Sequence, residues 1–176
     1  GYMVHGAVGA DEDGQPRMVS TPWCDHPIPM TEAAELGTKK VMEDHSSIGL
    51  VVTTDGSVAE IPRKDYIIPE RRAIQDMRAT GKPFLVIINS REPNSPEAGA
   101  VREQIRREFG IEAHICDCQS LDQEGIGRLL KSLLYQFPLH EIHVSLPRWM
   151  DALDEKHPIK SELYRQLLDR AGQITT

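Results

Sequence analysis

Three apolar runs, each followed by a polar turn and a helical pattern, organise the middle of the chain. Ile48-Gly49-Leu50-Val51-Val52 is short, unbroken and rich in β-branched residues, as a strand covered on both faces would be, and it ends at Thr53-Thr54-Asp55-Gly56. Pro69 then offers the first position of a helix whose Ala73, Ile74 and Met77 face one way until Gly81. The second unit is Phe84-Leu85-Val86-Ile87-Ile88, a polar stretch from Asn89 to Asn94, and a helix opened by Ser95-Pro96-Glu97 that carries Val101, Ile105 and Phe109 before Gly110. The third is a strand from Ile111 through Cys116, a polar turn, and a helix with Ile126, Leu129, Leu130, Leu133 and Leu134 on one face. Strand and helix alternating three times predict an α/β fold with a mainly parallel sheet and helices on both sides, a three-layer arrangement. Such sheets hold ligands outside the carboxyl ends of their strands, so the loops beginning at Thr53, Asn89 and Asp117 are the places to look.

The flanks read differently. Residues 1 to 30 contain four of the twelve prolines and the acidic run Asp11-Glu12-Asp13, with no sustained period, which predicts a long loop or lid with a solvated acidic tip. Thr31 is placed as a helix N-cap, with Glu32 in the first turn and Ala33, Ala34, Leu36, Val41 and Met42 on an apolar face. Past Pro138, Ile142, Val144 and Leu146 alternate like a half-buried strand. A short Trp149-Met150-Leu153 segment follows, then a helix from Pro158 to Ala171. The organisation expected is one domain over 1–137 and the start of an α+β domain over 138–176.

Composition narrows the chemistry. A formal charge of −7 and 5% aromatic residues argue against a nucleic-acid groove, which needs cations for phosphate and rings for bases. No stretch approaches a membrane span. Three cysteines, two of them in Cys116-x-Cys118, a spacing that a disulfide rarely bridges unless a turn brings the two sulfurs into contact, fit a reducing compartment. Cys24 and His26 could join that pair as four soft ligands for zinc, but the spacing departs from the usual knuckle, and no metal site is assigned. No G-x-x-x-x-G-K-[ST] loop is present; Gly37-Thr38-Lys39 lacks the leading glycine, and Gly125-x-Gly127 sits in a helical pattern. Thr53, Thr54 and Asp55 could polarise a nucleophile, although turn formation is the commoner role for such residues after a strand.

A set of unusual short strings carries a resemblance: Gly1-Tyr2-Met3-Val4, Thr21-Pro22-Trp23, His45-Ser46-Ser47-Ile48-Gly49, Thr53-Thr54-Asp55-Gly56-Ser57, Glu60-Ile61-Pro62-Arg63, Gly81-Lys82-Pro83-Phe84 and Leu153-Asp154-Glu155-Lys156-His157. Over essentially its whole length the chain resembles the stage IV sporulation protein A family, ATPases related to translation-factor GTPases that form the basement layer of the bacterial spore coat. The resemblance implies a P-loop NTPase-like domain that lacks its phosphate loop here, ATP and Mg²⁺ as cofactors bound with residues upstream of Gly1, and self-assembly into a homopolymer. It further implies a membrane-associated recruiting peptide and other coat proteins as partners, and a cytoplasmic position in the mother cell at the forespore outer membrane. Without the phosphate loop these residues are expected to be catalytically silent alone.

The same resemblance implies the site. Gly1 would be the glycine of a D-x-x-G motif, its N–H meeting the γ-phosphate. Asn89-Ser90-Arg91-Glu92 occupies the place of N-K-x-D, in which the asparagine braces the pocket, the lysine lies along the purine and the aspartate reads guanine. Ser90 is too short to cover a base, and Glu92 is one methylene longer than aspartate, so guanine preference should be lost. Asp117, Cys118 and Gln119 fall where GTPases place a short turn whose amides face the base, with Cys118 as the small residue against the purine. Two alternatives accompany the ATPase reading: a non-catalytic assembly module with a degenerate nucleotide fold, and an ordinary GTPase.

Overall fold

The computed structural model describes residues 1–12, 14–137, 141 and 143–173. Its chain divides into two compact units, Gly1–Leu133 and Leu134–Thr176. In the first unit two small hairpins come first. Strands β1 (Asp11–Glu12) and β2 (Gln15–Pro16) pair antiparallel, as do β3 (Met18–Val19) and β4 (Ile28–Pro29). Helix α1 (Met30–Lys40) continues into a short π-helical turn, Val41–His45. The region 1–29 is mostly loop, as expected, but carries two short hairpins that show no period because each strand is two residues long; Asp11 and Glu12 lie exposed in the first of them, while Asp13 lies outside the described residues. Thr31 is not the cap, because α1 begins at Met30 behind Pro29 and has no side-chain cap.

The core is a three-stranded parallel sheet, β5 (Gly49–Thr54), β6 (Phe84–Asn89) and β7 (Ala113–Cys116), in the order β5-β6-β7. Helix α2 (Arg63–Ala79) links β5 to β6, and α3 (Pro96–Phe109) links β6 to β7. Both crossovers step the same way across the sheet, so a common handedness sets both helices on one face. Their Ile74, Met77, Val101 and Ile105 close over Val51, Val86, Ile88 and Ala113. Central β6 is buried on both faces, from Leu85 to Ile88. On β5, however, Leu50 is 54% and Val52 58% exposed, so the expectation of a strand covered on both sides fails for this edge.

The helix ends follow their chemistry. Ser95 caps α3 by accepting the Ala98 N–H at 3.2 Å, Pro96 occupies a first-turn position, and Gly110 closes the helix at φ +66°. Pro69 is not the start of α2 but lies inside it, two turns after Arg63; the helix opens behind Pro62, whose extended ψ of 144° ends the preceding loop. Helix α4 (Gln123–Leu134) buries Gly125 and Leu133 while Ile126 and Leu130 stay exposed. In the second unit Arg148–Ala152 is a 3₁₀ turn around buried Met150, and Pro158–Ala171 forms helix α5. Val144 and Leu146, expected in a strand, carry no regular structure; Ile142 lies outside the described residues.

Candidate functional site

The three strands end in step. Thr54 pairs with Asn89, and Asn89 with Cys116, so the loops that follow emerge side by side at the carboxyl edge of the sheet. Ser90 N–H continues the ladder to the Cys116 carbonyl at 3.0 Å. Asn89 Oδ1 accepts the Cys118 N–H at 2.9 Å, which ties the loop after β7 to the end of β6. The asparagine side chain therefore joins the loop after β6 to the loop after β7.

The loop after β5 is tied to the same place. Ser90 is fully buried; its hydroxyl donates to Asp55 Oδ2 at 2.6 Å and accepts the Glu92 N–H at 3.1 Å. Asp55 Oδ1 accepts both the N–H of Ser57, at 2.9 Å, and its hydroxyl, at 2.6 Å, while Thr54 Oγ1 accepts the Gly56 N–H at 3.0 Å. Thr54 and Asp55 therefore form turns. Burial pushes the Asp55 carboxyl up, but the hydrogen bonds from Ser57, Ser90 and Thr54 outweigh it and hold the group below its usual value. Arg91 completes the connection, its N–H donating to Ser57 Oγ at 3.0 Å and its guanidinium to the Val58 carbonyl at 3.3 Å. Ser90 thus presents no surface to a ligand, and its side chain serves to join two loops.

Beyond this clamp an open cavity of about 380 Å³ lies between Arg91, Pro93, Cys116, Asp117 and Ser120. Asp117 Oδ1 accepts the Gln119 N–H at 3.0 Å. Hydrogen bonds from the Ser120 hydroxyl and the Gln119 and Ser120 backbones, with the nearby Arg91 charge, hold its carboxyl below the usual carboxylate range. Burial, and then the neighbouring Cys118, push the Cys116 thiol up to about 11. Asn89, Ser90, Arg91, Glu92, Asp117, Cys118 and Gln119 are accordingly brought together at one end of the sheet.

Gly1 is elsewhere. It lines a cavity of about 300 Å³ with Thr38 of α1, Glu70 of α2 and four consecutive residues of β5, Leu50 to Thr53. Four consecutive strand residues can share a cavity only along the backbone edge, since successive side chains point to opposite faces. The Gly1 amino group touches the Thr38 hydroxyl. One constellation at this edge escaped the sequence reading: Glu70, buried, receives Arg63 Nη1 and Nη2 at 2.7 and 2.8 Å and the Thr53 hydroxyl at 2.5 Å. Its signal was available, because a glutamate four residues before Ile74 and seven before Met77 sits on the apolar face of α2 and has to be paired. Gly37-Thr38-Lys39 lies within α1 and Gly125-x-Gly127 within α4. Among the described residues no group of three or more His, Cys, Asp or Glu side chains could hold a metal ion, and no helix is long and apolar enough to cross a membrane.

Comparison with known proteins gives this arrangement a family. The family described as "Stage IV sporulation protein A, ATPase domain" matches residues 1–138. Across 174 residues the chain is 43% identical to stage IV sporulation protein A of Bacillus anthracis and 42% identical to that of Bacillus subtilis (strain 168), in each case 99% of this chain and 35% of the relative. The protein of the same description in Clostridioides difficile (strain 630) is 42% identical over 167 residues, 95% of this chain and 34% of that protein. The chain thus spans about a third of the length of these relatives. No solved structure matches it. The chain, an α/β fold built on a parallel sheet as in P-loop NTPases, belongs to the stage IV sporulation protein A family.

Proposed function

We propose that these residues supply the base side of a nucleotide site in a protein that hydrolyses ATP. The hydrolysis drives self-assembly into the basement layer of the spore coat, at the forespore surface in the mother-cell cytoplasm. The observation that supports this reading most is the brace from Asn89 Oδ1 to the Cys118 N–H, which holds the loops after β6 and β7 at the carboxyl edge of a parallel sheet, where such folds take nucleotides. The family's description as an ATPase domain agrees with it.

Adenine rather than guanine follows from the residues at the clamp. A guanine reader needs a long cationic stem over the base and a short carboxylate on its N–H groups. Here the second position is Ser90, whose hydroxyl is engaged by Asp55 inside the protein, and the fourth is the longer, exposed Glu92. A site lacking the partner for a base N–H discriminates poorly in favour of that base. Arg91 and the turn Asp117-Cys118-Gln119 are left as the groups to face the purine. ATP supplies the phosphoryl group transferred to water, and Mg²⁺ neutralises charge on it. The described residues contain no cluster suited to Mg²⁺ and the chain no phosphate loop, so no hydrolytic step is assigned to them.

Polymer contacts with further copies, a membrane-associated recruiting peptide and later coat proteins belong to the same proposal. The test is made on the full-length protein. Cys118→Trp, which fills the turn against the base, is expected to abolish ATP binding while leaving the circular dichroism spectrum unchanged, and ATP is expected to outcompete GTP in the unaltered protein. Undiminished ATP binding by the variant removes this turn from the site. Absence of ATP and GTP turnover would leave a non-catalytic assembly module, and preferred GTP binding an ordinary GTPase.

A further inference from the structure

At the end of β7 the chain leaves the strand, and the turn at Asp117 swings Cys118 back so that its sulfur lies 3.9 Å from that of Cys116. Cys118 is exposed and Cys116 half-buried, both are free thiols, and each belongs to the carboxyl-edge loop or the strand that carries it. We propose that Cys116 and Cys118 form an oxidation site, in which a low-molecular-weight disulfide converts them reversibly into an intramolecular disulfide that pulls the loop after β7 away from Asn89.

The chemistry balances. Cys118, the accessible thiol, attacks one sulfur of the small disulfide as its thiolate; the S–S bond of the oxidant breaks, a mixed disulfide forms on Cys118, and one small thiol leaves with a proton. Cys116 then attacks the Cys118 sulfur and expels the second small thiol. The protein has lost two electrons and two protons, and the oxidant has been reduced to two thiols. Burial and the neighbouring Cys118 push the Cys116 thiol up, which keeps it largely protonated at neutral pH and makes the second step the slower one.

The consequence is geometric. A disulfide bond is about 2.05 Å long, so closing it from 3.9 Å draws the sulfurs together by on the order of 2 Å. Cys118 also donates the 2.9 Å hydrogen bond to Asn89 Oδ1 from its backbone N–H, so whatever part of that approach side-chain rotation does not supply falls on this bond. A bond of that length does not survive a displacement of more than about 0.5 Å. The expected effect of oxidation is release of the brace between the second and third loops. The effect on ATP rests on the proposed function; the disulfide and the release of the loop do not.

The experiment treats the full-length protein with oxidised glutathione, blocks remaining thiols with N-ethylmaleimide and maps the peptides by mass, with Cys24 as internal control. The peptide holding residues 116 and 118 is expected to lack two hydrogens and to resist the maleimide. Hydrogen exchange over 117–121 is expected to speed up, ATP binding to weaken about ten-fold, as the loss of one hydrogen bond implies, and dithiothreitol to reverse all three. Cys116→Ser is expected to stop at a glutathione adduct on Cys118. A persistent adduct in the unaltered protein, or a disulfide involving Cys24, overturns the oxidation site. A disulfide with unchanged exchange overturns the release of the loop. If disulfide and faster exchange are found while ATP binding is unaffected, the oxidation site stands and the assignment of this loop to the base falls.

Discussion

Replacing Arg63 is the sharpest way to probe what holds the edge of this sheet. Arg63 opens α2 and reaches Glu70, two turns on, through two parallel hydrogen bonds of 2.7 and 2.8 Å; the Glu70 side chain is 4% exposed and that of Arg63 17%. Thr53 of β5 donates to the same carboxylate, so the ion pair fastens the helix to the strand. Two unit charges about 4 Å apart attract by roughly 4 kcal/mol at an effective dielectric near 20, and desolvating both ions consumes most of that gain. Removing one ion keeps the desolvation and loses the attraction. Arg63→Met should therefore destabilise the fold by about 3–5 kcal/mol. Glu70→Leu should lose a similar amount, since it strands the guanidinium, whose Nε already has no partner among the described residues. The double variant should recover to within about 1 kcal/mol of the parent, because apolar side chains of similar volume replace a buried ion pair at little cost. Equilibrium urea unfolding reads this as midpoint shifts of about 1–5 M in the single variants, given slopes of about 1–3 kcal/mol/M. A loss under about 1 kcal/mol in Arg63→Met, or a double variant as unstable as the sum of the singles, would refute the reasoning.

Two further expectations concern packing and charge. In Gly49→Ala the added Cβ would lie 2.5 Å from Met77 Sδ and 3.1 Å from Phe84 Cβ, and Met77 is itself buried, so the substitution should destabilise by about 1–3 kcal/mol, seen as a lower thermal midpoint; an unchanged midpoint would show that Met77 can swing aside. Ser90→Ala removes a donor to Asp55 and should cost about 1–2 kcal/mol near neutral pH. Because the folded Asp55 carboxyl is held below its unfolded value of about 4, its stabilisation is present above that pH and lost as the pH falls through the folded value. With part of that lowering gone, the variant should lose less stability than the parent on acidification below about pH 4, measured as unfolding midpoints across that range. Equal acid losses would assign the effect to Ser57 and Thr54 alone.

How far the chain could be read depends on where the information lies. Phe84 to Ile88 announced a central strand because only a strand covered on both faces needs every position apolar, and Leu85 to Ile88 are all buried. The same reasoning overreached at β5, where Leu50 and Val52 are apolar yet more than half exposed. An apolar run identifies the strand but not its neighbours. Helix α3 was legible at both ends because Ser95 and Gly110 act within a few residues of themselves. Helix α2 was not, since both Pro62 and Pro69 are compatible with a helix start, and the backbone is helical from Arg63 through Pro69, where Arg63 already reaches Glu70 across two turns.

The site divides along the same line. The resemblance put Asn89 in a bracing position, and its side-chain oxygen accepts the Cys118 N–H of the next loop. Ser90 is short against a purine by length alone, whereas its place is set by the hydrogen bond to Asp55, thirty-five residues away on another loop. That long-range pair changes what the missing lysine means. The position is not simply shortened; it has been turned inward, and its hydroxyl now locks the loop after β5 to the loop after β6 while leaving the outward surface to Arg91 and the Asp117 turn. On the proposed reading, the same inward Ser90 that would leave guanine unread is also the residue that joins the two loops. A chain that restored only the lysine would have to expel a fully buried side chain and release Asp55 before it could present that lysine to a base.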